Sequence, residues 1–415
     1  MAEQHATIDQ LRRILDVTRR MAATTDLDVL LSMIVDAACQ VLECQRATIF
    51  LYDQASNELV SRVAKDAREI RFPADRGIVG AVAQGRKLIN VPDAYADERF
   101  NPDVDRKTGF RTRNLLTLPL ENIEGRLTGV LQVLNKKGGP FDRNDEDLAG
   151  VFGAQAGVAL HRGKLLEEYA EKQRLARDMD IARTIQRGLL PKENPTVPGY
   201  EIAGWNRSAD ETGGDCYDFI PLRDGRLAIL LADATGHGIG AALVIAQCRS
   251  LVRAMLSVSE DLLRIAASVN SLLAHDLSEE HFVTAFVGIL DPARHTIEYV
   301  AGGQGPLLLV TRDSVDNRTA SDLPFAVLED HEFTDKSSFQ LERGAIVVLL
   351  TDGFFETADQ QQAFYGEDRV AEFVQAHLSD PLETLIERLH DSVREFRGAL
   401  PQADDLTAVL IRRTE

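Results

Sequence analysis

Basic side chains are in short supply. Against 65 aspartates and glutamates the 415-residue chain sets 46 lysines and arginines, a formal net charge of −19 at pH 7. Such a surface has no broad positive field with which to hold a nucleic-acid backbone or an anionic bilayer, so neither is an expected partner. Cysteine is scarcer: Cys39, Cys44, Cys216 and Cys248 show no paired metal-ligand spacing. The opening MAEQHATIDQLRR lacks the basic-then-apolar profile of a secretory signal, and no apolar run approaches the roughly 20 residues that span a bilayer. These absences set the expectation of a reduced, cytoplasmic protein. What the chain does have is length: with 44% hydrophobic and 27% charged residues it can build two or three domains with buried cores.

Changes of hydrophobic period divide it. Ile8, Leu11, Leu15, Thr18 and Ala22 alternate spacings of three and four, which lines one helix face and predicts a dimerisation helix over residues 1–22. Residues 23–160 read as a compact α+β domain: a helix (DVLLSMIVDAACQVL), strands (ATIFLYD, ELVSRVA), a helix near IVGAVAQG, a polar loop, then strands (LLTLPL, TGVLQVLN). From Asp142 to Leu190 the chain is nearly proline-free, and Leu165, Tyr169, Ala176 and Met179 continue the three-four spacing, interrupted by Gly163 and Lys172. Residues 161–195 are therefore expected to be a helical signalling linker. From 196 to 415 strands dominate (YEIAGWN, LAILLAD, VTAFVGIL, TIEYVAGG, GAIVVLLTD, LTAVLIR), with helices near 240–256, 260–277 and 381–397, which predicts a β-sandwich flanked by helices.

Acids recur at the strand ends of that last region. LAILLAD and AIVVLLTD end in Asp233 and Asp352, whereas ETGGDCYDF and DDLTAVLIR place Asp215 and Asp404 just ahead of apolar runs. In an antiparallel sandwich the end of one strand and the start of its neighbour share a rim, so four carboxylates can meet there. They could not ionise together without cations, and an all-oxygen set suits hard ions such as magnesium or manganese. Gly213 and Gly214 would then give the backbone room to approach a bulky phosphorylated substrate. Spacing alone leaves open four ordinary, solvent-facing aspartates.

The ordered motifs ARTIQRGLLP, TGGDCYD, ADATGHGIGAAL, FVTAF, AGGQGP, LLTDGFFE, YG and DDLTAVLIR, spread over residues 182–412, resemble the SpoIIE-type branch of the metal-dependent PPM serine/threonine phosphatases. The resemblance implies that Asp215, Asp233, Asp352 and Asp404 are the catalytic, metal-holding acids of a two-ion Mn2+ or Mg2+ site. Asp233 would bridge the ions and the Ala234 carbonyl would stand in for a glycine carbonyl. It further implies in-line attack of water on phosphorus, with no covalent enzyme intermediate, in a phosphorylated protein such as an anti-sigma-factor antagonist. Gln304 and Gly305 depart from a common His-Asn pair, which removes one proton donor, so no general acid is assigned. Asp218 and Asp405 are candidates to support the site or to be solvated, and His237 reads as structural. Gly236, Gly238 and Ala241 also satisfy a dinucleotide-binding pattern, but more helix follows where an acidic strand end is needed, and Asp233 would repel a pyrophosphate.

The earlier domain carries EIRFPADRGIVGAVA, NVPDAYADERF, DRKTGFRTRNLLTLPL and NKKGGPFDRNDED, which resemble the regulatory GAF domains of cyclic-nucleotide phosphodiesterases; Asn135, Lys136, Phe141, Asp145 and Glu146 complete their NKFDE signature. The resemblance implies a Lys136–acid pair that holds the fold and a cAMP or cGMP pocket at Thr48, Ile78, Thr108, Thr112 and Gln132. Gln132 stands where a glutamate can read the purine edge, and an amide that both donates and accepts does not choose between adenine and guanine. A GAF fold used for dimerisation, or for another small ligand, is the plainer alternative. The expectation is a cyclic-nucleotide-regulated, homodimeric protein phosphatase, with a non-hydrolysing pseudophosphatase or a ligand-sensing scaffold as the competing readings.

Overall fold

The computed structural model describes residues 2–61, 70–278 and 280–415. They form two units, one ending at Leu175 and one beginning at Ala176.

The first unit opens with α1 (Ala2–Ala23) and α2 (Leu27–Val41), the latter started by the Asp26 carboxylate, which accepts from the Val29 amide. Of the expected α1 seam, Leu15 and Ala22 are exposed and the Ile8 and Leu11 side chains lie outside the described residues; Ile14 and Met21 are the buried face. Strands β1 (Cys44–Asp53), β2 (Glu58–Ser61), β3 (Ile70–Pro73), β4 (Ile89–Val91), β5 (Leu115–Glu121) and β6 (Leu127–Lys136) make an antiparallel sheet in the order β3-β2-β1-β6-β5-β4. Alternation of side chains gives the sheet two apolar faces. Ile49, Leu118, Leu131 and Val133 pack on Ile34, Phe152 and Ala156 of the long helices, while Val130 packs on Val79 and Val82 of α3 (Gly77–Gly85). A short α4 (Pro102–Thr108) fills the polar loop. The NKFDE residues tie the domain together. Asn135 donates to the Arg111 carbonyl (2.8 Å) and accepts from the Arg113 amide, Lys136 pairs with the buried Asp145, and Glu146 accepts from Asn90. The helix beginning at Asp145's turn, α5 (Arg143–Arg187), runs unbroken through Gly163, whose missing side chain accommodates Leu27 and Leu30.

The second unit holds β7 (Tyr200–Arg207), β8 (Asp215–Pro221), β9 (Leu227–Ala234), β10 (Val283–Asp291), β11 (Thr296–Gly302), β12 (Leu307–Val310), β13 (Val315–Arg318), β14 (Ser337–Gln340), β15 (Ile346–Leu350) and β16 (Leu406–Arg413). Two five-stranded antiparallel sheets, β14-β11-β10-β9-β8 and β13-β12-β15-β16-β7, face each other. Between them lie Phe219, Leu231, Phe286, Tyr299, Phe339, Val347 and Val409. Outside the first sheet sit α6 (Ile239–Leu256) and α7 (Leu262–Asp276); outside the second sit α8 (Gly353–Glu356), α9 (Glu367–Ala376) and α10 (Leu382–Arg397). Contrary to the expectation that no apolar run approaches a bilayer span, helix α6 is by length and composition apolar enough to cross a membrane; Ala241, Val244, Ile245, Cys248 and Val252 bury its apolar face against the sheet. The α+β class and the flanked sandwich follow the sequence reading, and β12–β14, α8 and α9 are additions to it.

Candidate metal centre

Asp215 opens β8 and Asp233 closes β9, and the two are direct partners in the antiparallel register. On the other sheet Asp352 follows β15 and Asp404 precedes β16, its antiparallel neighbour, so these two acids also share a rim. Two hydroxyls join the rims: Thr351 and Thr407 both donate to Asp215 Oδ2, at 2.7 and 2.6 Å. All four predicted acids and the Ala234 carbonyl therefore belong to one end of the sandwich. Asp215 is 4% exposed; Asp233 and Asp352 are half-buried and Asp404 is exposed. Among the described residues no three carboxylate, imidazole or thiol groups converge closely enough to ligate one ion as they stand. Ligation thus calls on rotation of the acids that solvent reaches.

Burial and mutual repulsion dominate the electrostatics. Burial first, then the Asp233 and Asp405 charges, raise the Asp215 carboxyl well above the ordinary range. Burial with Asp352 and Asp404 pushes Asp233 up to about 7, a hydrogen bond with Asp215 acting against the rise, and burial with Asp404 and Glu356 pushes Asp352 to about 6. Carboxylates so arranged favour a counter-cation strongly, and a donor set made only of oxygen fits a hard divalent ion.

The two glycines ahead of Asp215 have distinct neighbours. A Cβ on Gly213 would lie 2.2 Å from Asp405 Oδ2, and one on Gly214 would lie 2.7 Å from the Ala234 carbonyl and 3.3 Å from Asp233 Oδ1. Glycine here makes room for the acids themselves. Asp405 is buried, not solvated, and accepts from the amides of Ala209 (2.7 Å) and Asp215 (3.4 Å), which fixes the loop. Asp218 is likewise buried, held by Arg249 at 2.9 Å and by Arg253 at 2.8 Å. Cys216 faces the opposite way, into the α6 layer beside Cys248, where burial drives its thiol far up and makes it a packing residue. His237 has 90% of its side chain exposed, 3.6 Å from Asp210, so its expected structural role is not what the fold gives it. Gln304 is buried and donates to the Leu350 carbonyl (2.9 Å), tying β15 to the turn before β12.

Three contributors were absent from the sequence reading. Thr351 and Thr407 lie within LLTD and DDLT, where a lone hydroxyl beside an apolar strand was the available signal. Gln186, in the last turn of α5, accepts from the Gly213 amide (3.0 Å) and donates to its carbonyl. It lies within ARTIQRGLLP, one of the motifs that carry the resemblance, but its spacing alone does not set it apart from other polar residues of an exposed helix.

In the first unit Thr48, Gln132 and Thr117 stand side by side across β1, β6 and β5, and Gln132 donates to Thr117 (3.2 Å). Thr48 and Gln132 are half-buried on the face that α3 covers, and Ile78 of α3 packs with Val91 and Leu115. Thr112 is buried with its hydroxyl and amide both given to Asp105. The Thr108 side chain lies outside the described residues.

A sandwich with this carboxylate rim is the framework of PPM phosphatases. Residues 223–414 match the family model described as stage II sporulation protein E (SpoIIE), and residues 26–160 match that of the GAF domain. The chain thus joins a GAF domain to a SpoIIE-type PPM phosphatase domain. The SiaA-PP2C domain of Pseudomonas aeruginosa shares the fold, with a TM-score of 0.52 at 23% identity over 59% of this chain and 98% of that one. A Caenorhabditis elegans protein described as a probable 3′,5′-cyclic phosphodiesterase, pde-5, is 33% identical over 183 residues, which is 40% of this chain and 25% of its own length. A cGMP-specific 3′,5′-cyclic phosphodiesterase of Drosophila ananassae is 32% identical over 200 residues, 43% of this chain and 17% of its own. This chain spans a quarter or less of the length of these two relatives.

Proposed function

We propose that this chain is a metal-dependent protein-serine/threonine phosphatase regulated by a small ligand, a cyclic nucleotide, at its GAF domain. The observation that carries the reading is the meeting of Asp215, Asp233, Asp352 and Asp404 on one rim from two sheets. With the Ala234 carbonyl these acids would hold two Mn2+ or Mg2+ ions. When bound, such a pair supplies the positive charge that polarises a phosphomonoester and eases deprotonation of water. The chain supplies the rest. Thr351 and Thr407 orient Asp215, Asp405 holds the glycine loop, and Gly214 keeps the Asp233 and Ala234 oxygens open to approach.

The substrate is a phosphorylated protein, of the anti-sigma-factor-antagonist kind by family resemblance. Thr48, Ile78, Thr108, Thr112 and Gln132 form the nucleotide pocket, and residues 1–22 and 161–195 serve dimerisation and signalling between residues 23–160 and 196–415. The protein acts in the cytoplasm, on neither nucleic acid nor membrane. Hydrolysis of p-nitrophenyl phosphate with manganese, with and without cAMP and cGMP, tests both halves and separates the enzyme from a pseudophosphatase or scaffold. Asp233→Asn should lower turnover by more than roughly a hundredfold while circular dichroism is unchanged. Wild-type manganese-dependent activity in that variant would remove the metal assignment.

A further inference from the structure

A cavity of about 650 Å³ lies in the second unit between the end of α5, which brings Arg183 and Arg187, and the end of β7, which brings Asn206 and Arg207. A smaller cavity of about 200 Å³, walled by Asp404, Asp405 and His237, shares Ala209 and Asp210 with it, so the two adjoin beside the acid rim. Among the described residues none of the three arginines has a carboxylate partner at ion-pair distance. Arg207 instead reaches His390 Nε2 at 3.4 Å, and Asp210, on the shared wall, leans toward His237. Glu211 is the second acid of the lining and is exposed.

Three guanidiniums in one cleft with no carboxylate partner among the described residues are out of keeping with a chain that carries 65 acids against 46 bases. Guanidinium stays charged across the working pH range, and the uncompensated Arg207 charge acts against protonation of both His390 and Arg397. The planar fork of arginine matches carboxylate oxygens two at a time, so a cluster of forks beside a phosphoryl-processing rim suits an extended anionic chain.

We infer that the cleft of Arg183, Arg187 and Arg207 seats an acidic segment of the phosphoprotein substrate, with carboxylates beside the phosphorylated residue lying on the arginines while the phosphoryl group reaches the rim. This rests on the phosphatase reading and adds to it the source of substrate choice. Charge complementarity of this kind sets selectivity and weakens with salt.

Two phosphoserine peptides of equal length, one flanked by aspartate and glutamate and the other by asparagine and glutamine, test it on the full chain. Calorimetry gives each Kd, and p-nitrophenyl phosphate hydrolysis is followed in parallel. The acidic peptide should bind about five- to tenfold more tightly, and the preference should shrink as NaCl rises from about 0.05 to 0.5 M. In Arg183→Gln/Arg187→Gln, and separately in Arg207→Gln, the ratio of the two constants should fall toward one. Because each ratio is internal to one variant, general damage does not mimic the result. Equal binding by the wild type, or a preference that survives both variants, overturns the cleft. Preferential binding without any hydrolysis sustains the cleft and sinks the phosphatase reading instead.

Discussion

His390 shows how one buried side chain can make stability depend on pH. Its ring lies 5.0 Å from that of Trp205 and is faced by Arg207 from β7, by Asp391 at 3.7 Å, and by Arg394 and Arg397 from its own helix. Burial first, and the Arg207 charge next, hold its pKa below the usual 6.5. The unfolded chain therefore binds a proton that the folded chain resists. The stability that neutral His390 contributes is present above about pH 6.5 and is lost as pH falls through the lower folded value. The thermal midpoint of the second unit should drop as pH is lowered below 6.5, read by fluorescence of Trp205, the chain's sole tryptophan. His390→Gln should flatten that part of the curve; an unchanged slope would assign the acid sensitivity to other groups.

Among elements, the end of α5 has the most direct hold on the acid rim. Gln186 takes both backbone groups of Gly213, two residues before Asp215, so the position of the last helical turn is passed to the loop through two hydrogen bonds. Gln186→Ala should release the loop, raise the manganese concentration needed for half-maximal turnover roughly tenfold, and leave the melting temperature within a few degrees. A loss confined to stability, with metal response unaltered, would make the contact merely structural. The strands that carry the acids were legible because LAILLAD and AIVVLLTD are unbroken apolar runs that stop in aspartate, and sandwich topology then forces those ends together. Short edge strands such as Val315–Arg318 and Ser337–Gln340 were not, because their four residues carry too few alternations for a period to show. Whether Asp218 and Asp405 would support the site or be solvated stayed open in the sequence for another reason. Burial of an acid depends on partners distant in sequence, here Arg249 and Arg253 for the one and the Ala209 amide for the other.

At the scale of the whole molecule, one helix of 45 residues links the GAF domain to the phosphatase domain. Along it Leu165 and Tyr169 are exposed on one side, and Ile181 and Ile185 on roughly the opposite side. If the face that holds Leu165, Tyr169, Ala176 and Met179 meets a second copy of the helix, charges placed on it should separate sensing from output. In Tyr169→Glu/Met179→Glu, calorimetry should find nucleotide bound as tightly as by the wild type, while the phosphatase assay no longer responds to it. Normal binding with normal regulation would make the helix a passive tether. A further consequence lies in how such a connector can change. An α-helix advances about 100° per residue, so one residue inserted after Tyr169 swings everything beyond it through more than a quarter turn about the axis, whereas seven leave it only about 20° from where it began. If the helix carries the nucleotide signal, it is an angular gauge rather than a ruler: regulation should survive the addition or removal of a whole heptad and be lost on insertion of a single residue.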